Sequence, residues 1–330
     1  MYEVDILPKI GDNIKDRYKI VLKISQGEKR MIFCAIDQQM QQIAVKLEQD
    51  TDGQTTICIE SAILKILANS NHIPRFFSYG QHKNCKFMAY ELLGPNLIDL
   101  VNYKEPYKFS LHSVLKFGIQ AIETLQIVHN KDFIHRNIKP GSFLIGNTQE
   151  TFGTFYLIDF ELCKKINKHH GVVTTPTNKA NFRGTMMYAS LNAHNLVELG
   201  RQDDLISLLY ILVEFYNGML PWSDVDELSS IQQTNTLHEF IEVLDALTGI
   251  KSDDDFNPFE NNIQYESQSS IRLENYVEQF IDGMKKKDDK YKQLDWASFV
   301  EQTGGSHHKE GFDGIDISES EQYFFQQCKH

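Results

Sequence analysis

The feature that most constrains this fold is a change of periodicity at Gly94-Pro95. Upstream of it, short β-rich runs recur: Tyr18-Lys19-Ile20-Val21-Leu22, Met31-Ile32-Phe33-Cys34-Ala35-Ile36 and Gln42-Ile43-Ala44-Val45-Lys46-Leu47, with a turn at Gly27 between the first two. A single helical pattern interrupts them from Thr56 to Ala68, predicted to be half-buried through Ile59, Ile63, Leu64, Ile66 and Leu67. Phe87-Met88-Ala89-Tyr90 closes the set as a further apolar strand. Downstream the spacing becomes helical. Leu111 to His129 puts Val114, Leu115, Ile119, Ile122, Leu125 and Val128 inward, and Leu205 to Phe215 is strongly apolar before a stop at Gly218 to Pro221.

The pattern predicts an α+β class with a small β-rich lobe over 14–93 and a larger, mainly helical lobe over 94–300. The last stretch, 301–330, reads as a tail, because Thr303 to His308 is polar and carries glycine. Asp253-Asp254-Asp255 through Asn262 reads as an acidic surface loop. No internal repeat is visible.

Composition narrows the function classes. Among 330 residues 41% are hydrophobic and 24% charged, and the net charge is −12, which disfavours a nucleic-acid partner by long-range repulsion. No run reaches the ~18 apolar residues of a membrane span. Met1-Tyr2-Glu3-Val4-Asp5 has no basic leader, so neither a membrane nor a secretory signal is expected. The five cysteines (Cys34, Cys58, Cys85, Cys163, Cys328) are scattered without a C-x-x-C pair, as suits free thiols in a reducing compartment. The doublets His169-His170 and His307-His308 lack a Cys or carboxylate at metal-ligand spacing. A cytoplasmic protein is the expectation.

Four elements carry chemistry. Phosphoryl transfer from ATP needs charge placed around the phosphates and an oriented nucleophile, with little covalent participation by the protein. Lys46, in Ala44-Val45-Lys46 on the third strand, is placed to reach the α/β-phosphates, and Glu60, one helix later, can pair with it. His135-Arg136-Asn137-Ile138-Lys139-Pro140 follows the long helix where a catalytic loop belongs, and Leu157-Ile158-Asp159-Phe160 places Asp159 to bind Mg2+. Taken singly, a strand lysine is a surface charge and an Asp-Phe pair a core anchor. It is their order and separation together that point to a phosphotransferase.

The chain resembles the casein kinase I superfamily of protein kinases, and most closely its tau-tubulin kinase branch. The most specific stretch is Phe182-Arg183-Gly184-Thr185-Met186-Met187-Tyr188-Ala189-Ser190-Leu191-Asn192-Ala193-His194, where that superfamily has Gly-Thr-x-x-Tyr-Ala-Ser. Gly200-Arg201-Gln202-Asp203-Asp204-Leu205, Val213-Glu214-Phe215, Leu220-Pro221-Trp222 and Glu91-Leu92-Leu93-Gly94-Pro95-Asn96-Leu97 also match, and the likeness runs from about Ile14 to about Trp296. It implies a bilobal kinase fold with ATP and Mg2+ as candidate ligands. It also implies that Tyr90 is the gatekeeper, that backbone groups of Glu91 and Leu93 receive adenine, and that Ile32, Ala44 and Leu144 sandwich its ring. By the same resemblance Asp204 anchors the catalytic loop from below and Thr185 lies near the substrate hydroxyl. The implied partners are a protein substrate or protein partner, with a microtubule-based, cytoskeletal assembly as a family analogy.

The catalytic pattern is broken in four places. The Asp that accepts the substrate proton is Asn137, and an amide can orient a hydroxyl but cannot act as a base; such assistance is typically worth ~10²–10⁴ in rate. The Asn expected to bind a second Mg2+ is Ser142, a poorer ligand for a hard cation, so the metal set reads as Asp159 with Ser142 as a weak member. The Gly after Asp159-Phe160 is Glu161, which brings a carboxylate toward the expected phosphates. In Ile24-Ser25-Gln26-Gly27-Glu28-Lys29-Arg30, where Gly-x-Gly-x-x-Gly is expected, only Gly27 survives; Lys29 or Arg30 can supply charge instead, opposed by Glu28.

Since Lys46, Glu60, Lys139 and Asp159 remain, three functions stay in competition. They are a pseudokinase acting as a binding or scaffold module, an unconventional Ser/Thr kinase, and a structural part of a microtubule assembly. Lys164, Lys165, Lys168, Lys179 and Arg183 make the segment before Gly184 basic, where relatives recognise phosphate already on a substrate. Lys285-Lys286-Lys287 is a second basic run, beside Asp288 and Asp289.

Overall fold

The computed structural model describes residues 7–50, 55–102, 107–166, 168–169, 172–173, 180–220 and 222–223. The tail 301–330, the acidic loop at Asp253, the Lys285–Lys287 run, Lys179, the His307-His308 pair, Cys328 and the boundary near Trp296 all lie outside these residues. Among the described residues no helix is long and apolar enough to cross a membrane.

The first lobe is a six-stranded antiparallel sheet built from β1 (Asn13–Ile14), β2 (Tyr18–Gln26), β3 (Arg30–Ile36), β4 (Gln42–Gln49), β5 (Phe76–His82) and β6 (Cys85–Glu91). Its order is β1-β2-β3-β4-β6-β5. Gly27 donates its N–H to the Arg30 carbonyl at 2.8 Å and so closes the β2–β3 turn. Alternation along the strands divides the sheet into two faces. Ile43, Val45 and Leu47 join Ile20, Phe33, Phe87 and Ala89 in a small core on one side. Ala44 and Lys46 face the other way, with Ile32 opposite Lys46 and Arg30 opposite Glu48 across the β3–β4 ladder.

Helix α1 (Ile57–Ile66) crosses that second face. Contrary to the expected burial of Ile59 and Ile66, both are exposed, and the buried stripe is Ile57, Glu60, Ser61, Ile63 and Leu64. The helix has no cap from Thr56, whose backbone is already helical. Its first amides are instead satisfied by a strand side chain. Glu48 Oε2 on β4 accepts from Thr56 N at 2.7 Å and Ile57 N at 2.8 Å, placing an anion where the free N–H groups and helix dipole favour one.

The second lobe begins with α2 (Leu97–Asn102) and α3 (Leu111–Asn130), the latter started by Ser110, whose Oγ accepts from Ser113 N. Between α3 and α5 (Arg201–Asn217) lie the short strands β7 (Phe133–Ile134), β8 (Phe143–Ile145), β9 (Phe155–Leu157) and β10 (Lys164–Lys165), and the one-turn α4 (Leu191–His194). Strand β8 pairs with β9, and β10 with β7. Phe117 on α3 meets Phe143 and Phe155 edge-on at 5.0 and 5.2 Å, and Phe109 meets Phe215 at 4.9 Å. Helix α5 is buried nearly all round, as its dense apolar run requires, and ends at Gly218 with φ +94.

Candidate functional site

The two lobes meet where β4, α1, the loop after β7 and the turn after β9 converge. Lys46 Nζ on β4 lies 2.7 Å from Glu60 Oε2 on α1 and 3.5 Å from Asp159 Oδ1. The Lys46 and Glu60 side chains are 6% and 4% exposed, so each charge depends on the other. Burial disfavours the ammonium, but Glu60 and Asp159 outweigh it and hold the Lys46 pKa above its ordinary value. Burial pushes Glu60 upward against the pull of Lys46. Asp159 has a left-handed backbone, φ +66, which turns its carboxylate toward Lys46.

Of the positions expected around adenine, Ile32, Ala44 and Tyr90 lie on the sheet face that carries Lys46. Ala44 is opposite the buried Tyr90 across the β4–β6 ladder, and Ile32 is opposite Lys46. Burial raises the Tyr90 phenol pKa, although Lys46 opposes this. Leu144 lies on β8 and bridges to Asn96, just past the hinge at Glu91-Leu93. The Glu91 N–H is occupied by the Arg75 carbonyl at 2.8 Å.

The catalytic loop hangs from one buried carboxylate. Asp204, 1% exposed, accepts from His135 N, Arg136 N and His129 Nε2, each at 2.8 Å. From α5, far along the chain, two of these bonds fix the backbone just before Asn137 and the third ties α5 to the His129 side chain on α3. His135 bonds the Ile158 carbonyl at 2.9 Å and packs edge-on against Phe160; burial lowers its pKa. Arg136, with φ +65, donates to the Leu162 carbonyl at 2.6 Å. Loop and Asp-Phe segment are thereby one hydrogen-bonded unit.

Asn137 Oδ1 accepts from Thr185 Oγ1 at 2.9 Å, so the sequence positions 137 and 185 do come together. A cavity beside them is lined by Arg136, Asn137, Arg183, Gly184, Thr185 and Tyr188, among others. Gly184 has φ +113, and a Cβ there would sit 2.9 Å from the Arg136 carbonyl, so this approach requires glycine. The segment is held from behind by Tyr188, which donates to Glu214 at 2.7 Å, and by Ser190 and Asn192, which donate to Asp203 at 2.5 and 3.0 Å. Burial pushes the Asp203 carboxyl up to about 6 against the pull of those donors.

Lys139 is partly exposed. Ser142 is fully buried, and its Oγ donates to the Asn137 carbonyl at 3.2 Å. Its hydroxyl therefore serves the loop's own backbone. Among the described residues no group of three or more His, Cys, Asp or Glu is arranged to hold a metal ion. Asp159, 25% exposed at the cleft, presents the carboxylate suited to a nucleotide-bound divalent cation.

The altered glycine positions behave differently from the sequence expectation of charge directed at phosphates. Arg30 pairs with both Glu48 and Glu161, and its Nη2 donates to Thr56 Oγ1 at 3.0 Å. Burial works against the guanidinium, but the two carboxylates raise its pKa. Neither Arg30 nor Glu161 is free. Lys164 of the basic segment pairs with Glu198, while Arg183 is exposed and close enough to lower the Arg136 pKa, after burial.

The protein kinase domain model matches residues 18–298. A "Probable serine/threonine-protein kinase" of Dictyostelium discoideum is 39% identical over 227 residues, covering 68% of this chain and 46% of that protein. The chain thus spans about half the length of the curated relative it matches.

Proposed function

Because the chain belongs to the protein kinase family, we propose that it is a pseudokinase: a nucleotide-cleft module that binds a protein partner and transfers phosphate poorly or not at all. One observation carries this. The side chain at the proton-accepting position is the amide of Asn137, 2.9 Å from Thr185 Oγ1, in a cleft whose Lys46–Glu60 pair is assembled. An amide there orients a hydroxyl and takes no proton. Support for membership of the casein kinase I superfamily, in its tau-tubulin kinase branch, comes from the Gly184–His194 motif and from the way Tyr188, Ser190 and Asn192 tie it to α5.

Residual ATP binding is part of the proposal. Lys46 would meet the phosphates, Asp159 would hold the nucleotide's Mg2+, and Leu93 would offer the hinge donor. Bound Mg2+ would supply charge neutralisation at the phosphates. Two cations, Lys46 and Arg30, face four carboxylates (Glu48, Glu60, Asp159 and Glu161) at the inner cleft, so the metal-free triphosphate is repelled.

A second function, weak or unconventional Ser/Thr kinase activity, is favoured by the same assembled Lys46–Glu60–Asp159 arrangement. The deciding test measures ATP binding by calorimetry with and without Mg2+, and γ-phosphate transfer to an acidic protein substrate. We expect Mg2+-dependent binding with no robust turnover, and turnover gained in Asn137→Asp. Robust wild-type turnover that is abolished by Lys46→Met would overturn the pseudokinase assignment.

A further inference from the structure

Two of the four breaks in the catalytic pattern meet each other in space. Arg30 stands at the last glycine position of the phosphate loop, and Glu161 stands at the glycine after Asp159-Phe160. They are 131 residues apart in sequence, and Arg30 Nη1 donates to Glu161 Oε2. We propose that Arg30, Glu48 and Glu161 form a built-in latch that closes the two lobes and seats α1 in the absence of nucleotide.

The guanidinium uses all three of its nitrogens. Nη1 takes Glu161, Nε takes Glu48 Oε1 at 3.1 Å, and Nη2 takes Thr56 Oγ1 at 3.0 Å. Glu48 spends its other oxygen on the first amides of α1, at 2.7 and 2.8 Å. One cation therefore joins β3, β4, the start of α1 and the turn that follows Asp159 in the other lobe. Glu60, one turn into α1, is the partner of Lys46. The helix is fixed at its first turn by the Arg30 network and along its buried face by Lys46.

An isolated surface ion pair would do little. This network differs in its two carboxylates, 8% and 17% exposed, which Arg30, itself 38% exposed, engages with separate nitrogens. Each substitution also explains the other. Glu161 without Arg30 would leave a carboxylate facing Glu60 and Asp159 with no cation of its own, and it already raises the Glu60 pKa. Glycine at either position has no side chain with which to build the latch. The latch needs no nucleotide and no proton transfer, so it stands or falls separately from the pseudokinase assignment.

The test is hydrogen exchange of the full chain without nucleotide, followed by mass spectrometry. It compares wild type with Arg30→Ala, Arg30→Lys, Glu161→Gln and the Arg30→Ala/Glu161→Gln double variant. Charge-assisted hydrogen bonds of this kind predict α1 amides exchanging on the order of tenfold faster in each single variant. The double variant is expected to be no faster than Arg30→Ala, because that change already removes the Arg30–Glu161 contact. Peptides from α3 and α5 should be unchanged, which separates release of α1 from general misfolding. In wild type α1 should already be protected before ATP and Mg2+ are added. If Arg30→Ala fails to fold, the near-isosteric Glu161→Gln carries the comparison. Wild-type exchange rates for α1 in Glu161→Gln, multiplied effects in the double variant, or wild-type protection that appears only with nucleotide would each overturn the latch.

Discussion

Replacing Lys46 by Met keeps an unbranched side chain on β4 but leaves Glu60, 4% exposed, without its cation. Breaking a buried pair from one side costs about 3–5 kcal/mol, because a charge is left desolvated. At roughly 2–4 °C per kcal/mol for a large domain, Tm should fall by about 6–20 °C. The loss should also depend on pH. In the variant, burial and the neighbouring Asp159 and Glu161 all raise the Glu60 pKa, and no lysine opposes them. A carboxyl raised in the folded state contributes stability that is fully present below its unfolded pKa, about 4.3, and is lost as pH rises through the folded value. The Tm gap between wild type and variant should therefore be small near pH 5 and widen toward pH 8. Adding Glu60→Gln to Lys46→Met removes the titrating group and should flatten that dependence. Scanning calorimetry of the three proteins at pH 5, 6.5 and 8 makes the comparison. A variant that melts with wild type at pH 8, or that loses the same amount at pH 5 and pH 8, would refute the account of Glu60 as a buried charge held by one partner.

Other outcomes follow from single contacts. Asp204→Asn replaces one of the two accepting oxygens by a donor that faces N–H groups and should cost about 1.5–3 kcal/mol in urea unfolding. Hydrogen exchange in that variant should rise at His135 and Arg136. Gly184→Ala must both relieve φ +113 and move away from the Arg136 carbonyl, and a destabilisation of at least ~1 kcal/mol in the same assay is expected. Among the described cysteines, Cys58 is exposed whereas Cys34, Cys85 and Cys163 are buried, and burial pushes the Cys163 thiol up to about 12. Iodoacetamide at pH 8 should label Cys58 well before those three, as read by peptide mass mapping; early labelling of Cys163 would contradict its placement.

Much of the fold was legible because periodicity is a local property. The strands from Tyr18, Arg30 and Gln42 and the helices over Leu111 and Leu205 follow from apolar spacing of two or of three to four residues. The short α1 was harder. Its apolar residues lie on both sides, so spacing alone put Ile59 and Ile66 in the core, whereas the charged Glu60 is inside because Lys46 is there to meet it. The order of Lys46, Glu60, Asn137 and Asp159 was likewise readable along the chain. Their convergence on one cleft needed the structure.

By itself, then, the sequence determined the two-lobed plan and the residue types available for chemistry, including the amide at Asn137. Tertiary structure alone decided what the altered residues do. Arg30 and Glu161 each look like damage to a glycine site when read along the chain, and together they make an ion pair across the lobes. Ser142 reads along the chain as a weak metal ligand, and in the fold its hydroxyl donates to the Asn137 carbonyl. The physical reason is common to all three. A side-chain hydrogen bond or ion pair is a short-range, directional contact, and its partner can lie anywhere in the chain that folding brings within about 3 Å.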